Sequence, residues 1–184
     1  MNQIEDIYET SPYPKEEKRE EDPHTVKSGY GEISREGVEV LIEKFKERFN
    51  DPCGVFYDIG SGYGKMVMHV ASVCKLKKCI GIEYVSQRNN IAKERSKKYS
   101  YATKELPEFI EGDACTMRFD DATIIYVDCT HFAQMFIRGI LRKIPKGCLI
   151  VHRGYFGRKF KINDPIVVPT VYIDNYKAGW FIKE

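Results

Sequence analysis

The sequence lacks any apolar run long enough to cross a bilayer. Its most hydrophobic stretches, such as Ile124-Ile125-Tyr126-Val127, fall far short of the ~20 residues a membrane helix needs, so no transmembrane segment is expected. The opening, Met1-Asn2-Gln3-Ile4-Glu5-Asp6, has no basic leader followed by an apolar core, and no signal peptide is expected. Six cysteines stand at 53, 74, 79, 115, 129 and 148, and no two share the CxxC spacing of a zinc or redox motif. His24, His69, His131 and His152 are equally scattered. No metal site is expected, and the cysteines read as reduced, small core hydrophobes. Internal repeats and low-complexity segments are missing as well. What remains reads as a soluble intracellular chain.

With 184 residues, 42% hydrophobic and 30% charged, the chain suits one domain that buries roughly 70% of its unfolded surface. The net charge of +2 hides an asymmetry. Residues 1–51 carry 14 acids against 8 bases, net −6, and residues 52–184 carry 13 acids against 21 bases, net +8. The bases bunch between Lys75 and Lys98 and again between Arg153 and Lys161. Such runs are usually solvated faces; a polyanion is the sharper expectation.

Residues 1–29 are rich in Glu, Lys, Asp and Pro without an apolar period, and read as a flexible charged arm before a domain spanning 30–184. Ser34 then caps a predicted helix bearing Val38, Leu41, Ile42, Phe45 and Phe49. Strands are predicted at 54–58, 78–83, 109–113, 122–128 and 148–152, with helices after the first, second and fourth. Two further strand candidates, 166–173 and 179–183, close the chain. Alternation of this kind predicts an α/β fold, a mostly parallel sheet with helices on both faces and a C-terminal antiparallel hairpin.

The first strand runs into Asp58-Ile59-Gly60-Ser61-Gly62-Tyr63-Gly64-Lys65. A phosphate-binding loop would end in GKS or GKT, and a dinucleotide fingerprint would place glycine where Lys65 stands. The acid ahead of the first glycine suits an ammonium better than a pyrophosphate. Glu83 ends the second strand, where a carboxylate can accept both hydroxyls of a ribose. Asp113 ends the third, within reach of an adenine amino group. Three acids at successive strand ends around one glycine loop fit S-adenosylmethionine better than NAD.

This glycine loop resembles motif I of class I methyltransferases. Tyr30-Gly31-Glu32, placed ahead of it, is similar to a loop of the disruptor-of-telomeric-silencing (Dot-type) histone lysine methyltransferases, which lack a SET domain. The resemblance runs from about Tyr30 to the C-terminus, as a minimal catalytic core with a seven-stranded Rossmann-like sheet. It implies that Tyr30 and Glu32 close over the methionine end of the cofactor. Asp58, Gly60, Gly62 and Lys65 would line its amino-acid portion, Glu83 its ribose, and Asp113 with Ala114 its adenine. Ala114 departs from the family's aromatic residue. After the fourth strand the family carries Asn-Asn-Phe-Ala-Phe; here Asp128-Cys129-Thr130-His131-Phe132 keeps only the last phenylalanine. Asp128, Phe132 and Tyr30 are thereby the candidate catalytic residues, with Asp128 also beside the cofactor.

The function so implied is S-adenosylmethionine-dependent methylation of a histone lysine within a nucleosome, whose DNA would meet the basic runs. The resemblance further implies a monomer in the nucleus, or in a host's nucleus if the source is viral. Phe132, Tyr155, Phe156, Trp180 and Phe181 are candidate walls of the lysine channel, although for any one of them ordinary core or hairpin packing is the first expectation. The alternative is a class I methyltransferase of RNA, DNA or a small amine, to which Asp128 lends some weight. Cys129-Thr130 lacks the prolines that accompany an acid there in nucleic-acid amino methylases. A silent chromatin-binding module is a third reading, disfavoured by the intact glycine loop and its acids.

Overall fold

The computed structural model describes residues 2–9, 32–130, 132–154, 165–170 and 176–184. Their helices are α1 (Gln3–Glu9), α2 (Arg35–Lys44), α3 (Lys46–Phe49), α4 (Lys65–Val73), α5 (Ser86–Ser96) and α6 (Gln134–Leu141). Their strands are β1 (Val55–Ile59), β2 (Lys78–Glu83), β3 (Glu108–Glu111), β4 (Ile124–Asp128), β5 (Leu149–Arg153), β6 (Ile166–Val168) and β7 (Tyr176–Ile182). The sheet order is β3-β2-β1-β4-β5-β7-β6. The first five strands run parallel, and β7 lies antiparallel between β5 and β6. The expected mostly parallel sheet of seven strands with an antiparallel end is therefore present.

Strand period two splits the core into two layers. Phe56, Tyr126 and Val151 face a layer filled by α1, α2, α4 and Ala92 of α5. Val55, Tyr57, Ile125 and Ile150 face the other, filled by Phe119 and by Phe136, Ile137, Ile140 and Leu141 of α6. Both faces of β1, β4 and β5 are buried, as their unbroken apolar runs require. Cys74, Cys79, Cys129 and Cys148 lie buried as free thiols, and no described helix is long and apolar enough to cross a membrane.

The helix predicted from Ser34 to Phe49 breaks in two. Ser34 does cap it, accepting from the Gly37 N–H at 3.2 Å. Phe45 leaves helical geometry at φ −114° and ψ 35°, and its ring packs edge-on against Trp180 at 5.2 Å.

The arm expected over residues 1–29 needs a correction at its start, because Gln3–Glu9 is a docked helix. Ile4 and Ile7 recur at helical spacing and enter the core beside α4. The Arg95 guanidinium donates to the Ile7 carbonyl at 2.6 Å. The Tyr99 hydroxyl donates to Asp6 at 2.8 Å, and Gln3 donates to the Ser72 hydroxyl at 2.6 Å. A seven-residue helix is unstable alone; this docking holds it. The rest of the expected arm, from residue 10, lies outside the described residues.

Ile7 is fully buried, so Ile7→Ala leaves a cavity and should destabilise the protein by about 2–5 kcal/mol. Urea denaturation measures this, and a loss below about 0.5 kcal/mol would show that α1 is not held in the core.

Candidate functional site

Three strands end side by side around one cavity. Asp58 of β1 is in register with Tyr126 of β4, and Asp128 of β4 with Arg153 of β5. Residues in register on parallel strands share a face. Asp58, Tyr126, Asp128 and Arg153 therefore stand on the face that also carries Phe56 and Val151. Asp58, Tyr126 and Asp128 line the cavity together with Gly60, Lys65 and Glu32.

The glycine loop bends over the carboxyl end of β2. The Gly60 and Ser61 N–H groups both donate to the Ile82 carbonyl, at 2.8 and 3.0 Å. Gly60 has φ +78°, a conformation L side chains rarely adopt, and a Cβ there would lie 2.9 Å from the Phe132 ring. Gly64, at φ +75°, opens α4, and a Cβ on it would sit 2.4 Å from the Phe109 ring. Both positions need glycine for conformation and for space.

Glu83 is buried at the end of β2. Its Oε2 accepts from the Gly62 N–H at 2.8 Å, and its Oε1 from the Val85 N–H at 2.9 Å. A carboxylate has about four acceptor sites, and Glu83 gives one oxygen to the glycine loop and the other to the entry of α5.

The cavity's charges are largely paired. Lys65 Nζ lies 2.7 Å from Glu32 Oε2, with both side chains nearly buried. The Arg153 guanidinium lies 3.3 Å from Asp128 Oδ2. Asp128 Oδ1 accepts from the Thr130 N–H at 3.1 Å and from its hydroxyl at 2.6 Å. No cation among the described residues pairs with Asp58. Burial pushes its carboxyl up to about 8, helped by the charges of Glu83 and Asp128.

Two hydroxyls at the same cavity, on Ser61 and Tyr126, are buried without a hydrogen-bond partner among the described residues. Burial and then the Asp128 carboxylate drive the Tyr126 phenol well above its ordinary value, with Arg153 acting against them. Orphaned buried hydroxyls and an uncompensated carboxyl are costly in an apolar setting. They are the chemistry a bound group with an ammonium and polar atoms would satisfy.

The structure brings together Glu32, Asp58, Gly60, Lys65 and Asp128 at this cavity, and sets Gly62 and Glu83 in contact behind the loop. Phe132 lies over Gly60, and its ring packs tilted against Phe136 with centroids 4.5 Å apart. Asp113 is partly exposed, and its carboxylate accepts from the Cys115 N–H at 2.7 Å in the turn after β3. Ala114 is buried in the apolar layer around Phe119. Tyr30, Tyr155 and Phe156 lie outside the described residues.

Trp180 packs against Phe45, and Phe181 lies buried against His152 in the other layer, the ordinary core packing expected of each; alternation along β7 turns them into the two core layers. One expectation is corrected. Arg153, expected in a DNA-facing basic run, is 6% exposed and ion-paired inside the sheet. Lys159 and Lys161 of that run are not described. Sequence reasoning also missed Tyr126, although it lies two residues before Asp128 on the same strand face. Nor did it anticipate that Glu5, Tyr8 and Glu9 of α1 line a neighbouring cavity sharing Glu32 and Lys65.

Residues 8–165 match the family described as histone methylation protein DOT1. A histone-lysine N-methyltransferase, H3 lysine-79 specific, from Caenorhabditis elegans is 32% identical over 137 residues, covering 66% of this chain but only 14% of that protein. An RNA methyltransferase from Salinibacter ruber, solved with S-adenosyl-L-homocysteine, superposes with a TM-score of 0.63 at 19% identity, covering 79% of this chain and 89% of that one. The magnesium protoporphyrin IX methyltransferase of Synechocystis PCC 6803, solved with bound SAM, gives 0.62 at 13% identity over 82% of this chain and 81% of its own. At such identities the two structures establish a shared fold only. The family match covers most of the chain, from α1 to the start of β6, and the chain belongs to the DOT1 histone methylation family.

Proposed function

We propose that this protein is an S-adenosylmethionine-dependent histone-lysine N-methyltransferase acting on nucleosomes. The observation that carries the reading is the cavity at the end of β1. There two carboxylates are neutralised by internal cations, and Asp58, which has no cation partner among the described residues, is left to meet a ligand's ammonium. Family membership and the likeness to the Caenorhabditis elegans protein support the substrate class.

When bound, S-adenosylmethionine would supply an activated methyl for the lysine nitrogen and leave as S-adenosylhomocysteine, the amine's proton passing to solvent. In this reading Asp58 holds the cofactor's ammonium, the loop from Gly60 to Gly64 follows its backbone-like portion, and Glu83 accepts from the ribose. Asp113 and Ala114 border the adenine, while Glu32 and Tyr30 belong to the covering loop. The lysine must arrive neutral, which at pH 7 costs roughly 4–5 kcal/mol from an ordinary pKa near 10.4. Phe132 beside Gly60 gives an apolar wall that lowers this cost by excluding water from the amine. Radiolabelled methyl transfer to nucleosomes, free histones and RNA, assayed side by side, tests the proposal. Faster transfer to RNA than to any histone substrate would overturn it.

Glu83→Ala should release the glycine loop as well as the ribose. Each charge-assisted hydrogen bond removed costs roughly 1.5–3 kcal/mol, so affinity for S-adenosylhomocysteine should fall at least ~10-fold by calorimetry. Unchanged binding would remove Glu83 from the site.

Asp58 sets a pH dependence. A carboxyl held near 8 in the ligand-free fold must lose its proton to meet an ammonium, whose charge then lowers its pKa. Below 8, binding therefore releases a proton, and affinity for S-adenosylhomocysteine rises with pH by up to about tenfold per unit, levelling above 8. The ligand-free protein behaves oppositely. Its raised carboxyl favours folding fully below the unfolded pKa near 4, and that contribution is lost as pH rises through 8. Asp58→Asn should flatten both curves, as calorimetry and thermal melts at several pH values would show.

Nucleosomal DNA is the inferred partner of the lysines between 75 and 98. Lys75, Lys93 and Lys98 are exposed, as are Lys77, 4.0 Å from Glu105, and Lys97, 2.6 Å from Glu94. Replacing Lys93, Lys97 and Lys98 by Glu should weaken nucleosome binding and flatten its log–log salt slope by about 0.9 for each phosphate no longer neutralised. Cofactor affinity should not change, and an unaltered slope would place DNA elsewhere.

A further inference from the structure

We infer that Arg153 is a positioning residue for the methyl-transfer site, holding Asp128 as a charge-compensated acceptor at the cavity. The inference rests on the function proposed above and deepens it. In register on β4 and β5, the two residues face each other across the carboxyl end of the sheet. Arg153 reaches Asp128 Oδ2 at 3.3 Å, with the Arg153 side chain 7% and the Asp128 side chain 19% exposed. The other oxygen, Oδ1, is fixed by the backbone and hydroxyl of Thr130. The Cys129 N–H donates to the Arg153 carbonyl at 2.8 Å, tying the turn after β4 to the same residue. The carboxylate is thus gripped from both sides.

A bare carboxylate at this point would work against the reaction. It would stabilise the ammonium form of an incoming lysine and so raise the pKa of the amine that must attack. The Dot-type pattern places an asparagine here, which offers an acceptor oxygen without charge. Asp128 beside a guanidinium offers the same: the oxygens keep lone pairs and most of the field is cancelled. The remaining charges around the pair favour this arrangement. Asp58 lies on the neighbouring strand β1 and Glu83 on β2 beyond it, and Glu32 is neutralised by Lys65. One more uncompensated acid would make the cavity strongly negative. The competing explanation is a plain structural tie between β4 and β5, which any well-packed residue could replace.

The two are separated by comparing S-adenosylhomocysteine with sinefungin, in which an amine-bearing carbon replaces the methylsulfonium. The sinefungin amine reports the charge at the transfer site without needing an acceptor substrate. Calorimetry at one pH is carried out on wild type, Arg153→Lys, Arg153→Met, Asp128→Asn and the double variant Asp128→Asn/Arg153→Met. In Arg153→Met the exposed carboxylate should raise the sinefungin-to-homocysteine affinity ratio about tenfold or more. Arg153→Lys keeps the charge and should hold the ratio near wild type. The double variant should return it to that of Asp128→Asn alone.

An Arg153→Met protein that binds S-adenosylhomocysteine with an unchanged ratio would overturn the inference, as would a raised ratio that persists in the double variant. Should Arg153→Met fail to fold, recovery of folding and binding in the double variant supports the unit, and its failure refutes it. A wild type that binds both nucleosides but methylates no histone or nucleosome defeats the proposed activity while the ratio still judges Arg153. One that binds neither defeats both.

Discussion

The site depends on one buried carboxylate. Glu83 ends β2 and accepts from the backbone of two segments, Gly62 in the glycine loop and Val85 at the start of α5. Backbone N–H groups at the end of a parallel sheet would otherwise be stranded, at a cost of about 1–3 kcal/mol each. By meeting both, Glu83 sets how the loop crosses the end of the sheet. The crossing fixes where α4 begins and where Lys65 points. Lys65 then pairs with Glu32, from the segment before α2. Local order thus spreads outward from β2 through backbone geometry to the wall of the cavity.

Electrostatics imposes a second layer of order. Three acids border one cavity, and like charges so placed cannot all remain ionised without compensation. Two have cations supplied by the fold, Lys65 for Glu32 and Arg153 for Asp128. Asp58 has none among the described residues and responds by holding its proton. The arrangement separates permanent charges, which shape the cavity, from one adjustable charge, which can answer a ligand. The orphaned hydroxyls of Ser61 and Tyr126 stand beside that adjustable group.

Much of this was legible in the sequence because its signals are local. The apolar run of β2 and its terminal acid gave the strand Lys78–Glu83 to the residue, and the three spaced glycines placed the loop. The Asp128–Arg153 pair was hidden because 25 positions separate its partners, and only the parallel pairing of β4 with β5 brings them level. A basic residue beside other bases reads as surface; register, not composition, buried this one. Helix α1 failed for a different reason. Its signal is Ile4, Ile7 and Tyr8 within one short stretch, and the prolines at 12 and 14 with many charges outweighed it in any window average. Its order comes from partners on α4, α5 and the segment after α5, which no local pattern contains.

The same physics explains why Asp128 and Arg153 must be read as a unit. Taking an arginine and a carboxylate out of water costs several kcal/mol per ion, which their attraction offsets only with good geometry. Breaking such a pair from either side leaves an uncompensated buried charge, at about 3–5 kcal/mol. A change from a neutral amide to a carboxylate at the end of β4 is therefore tolerated only with a cation opposite, and β5 presents that cation in register. Stability alone would be served as well by two apolar residues. An ion pair kept at the edge of the cavity, with one carboxylate oxygen held by Thr130 and the other by Arg153, is better accounted for by what those oxygens face.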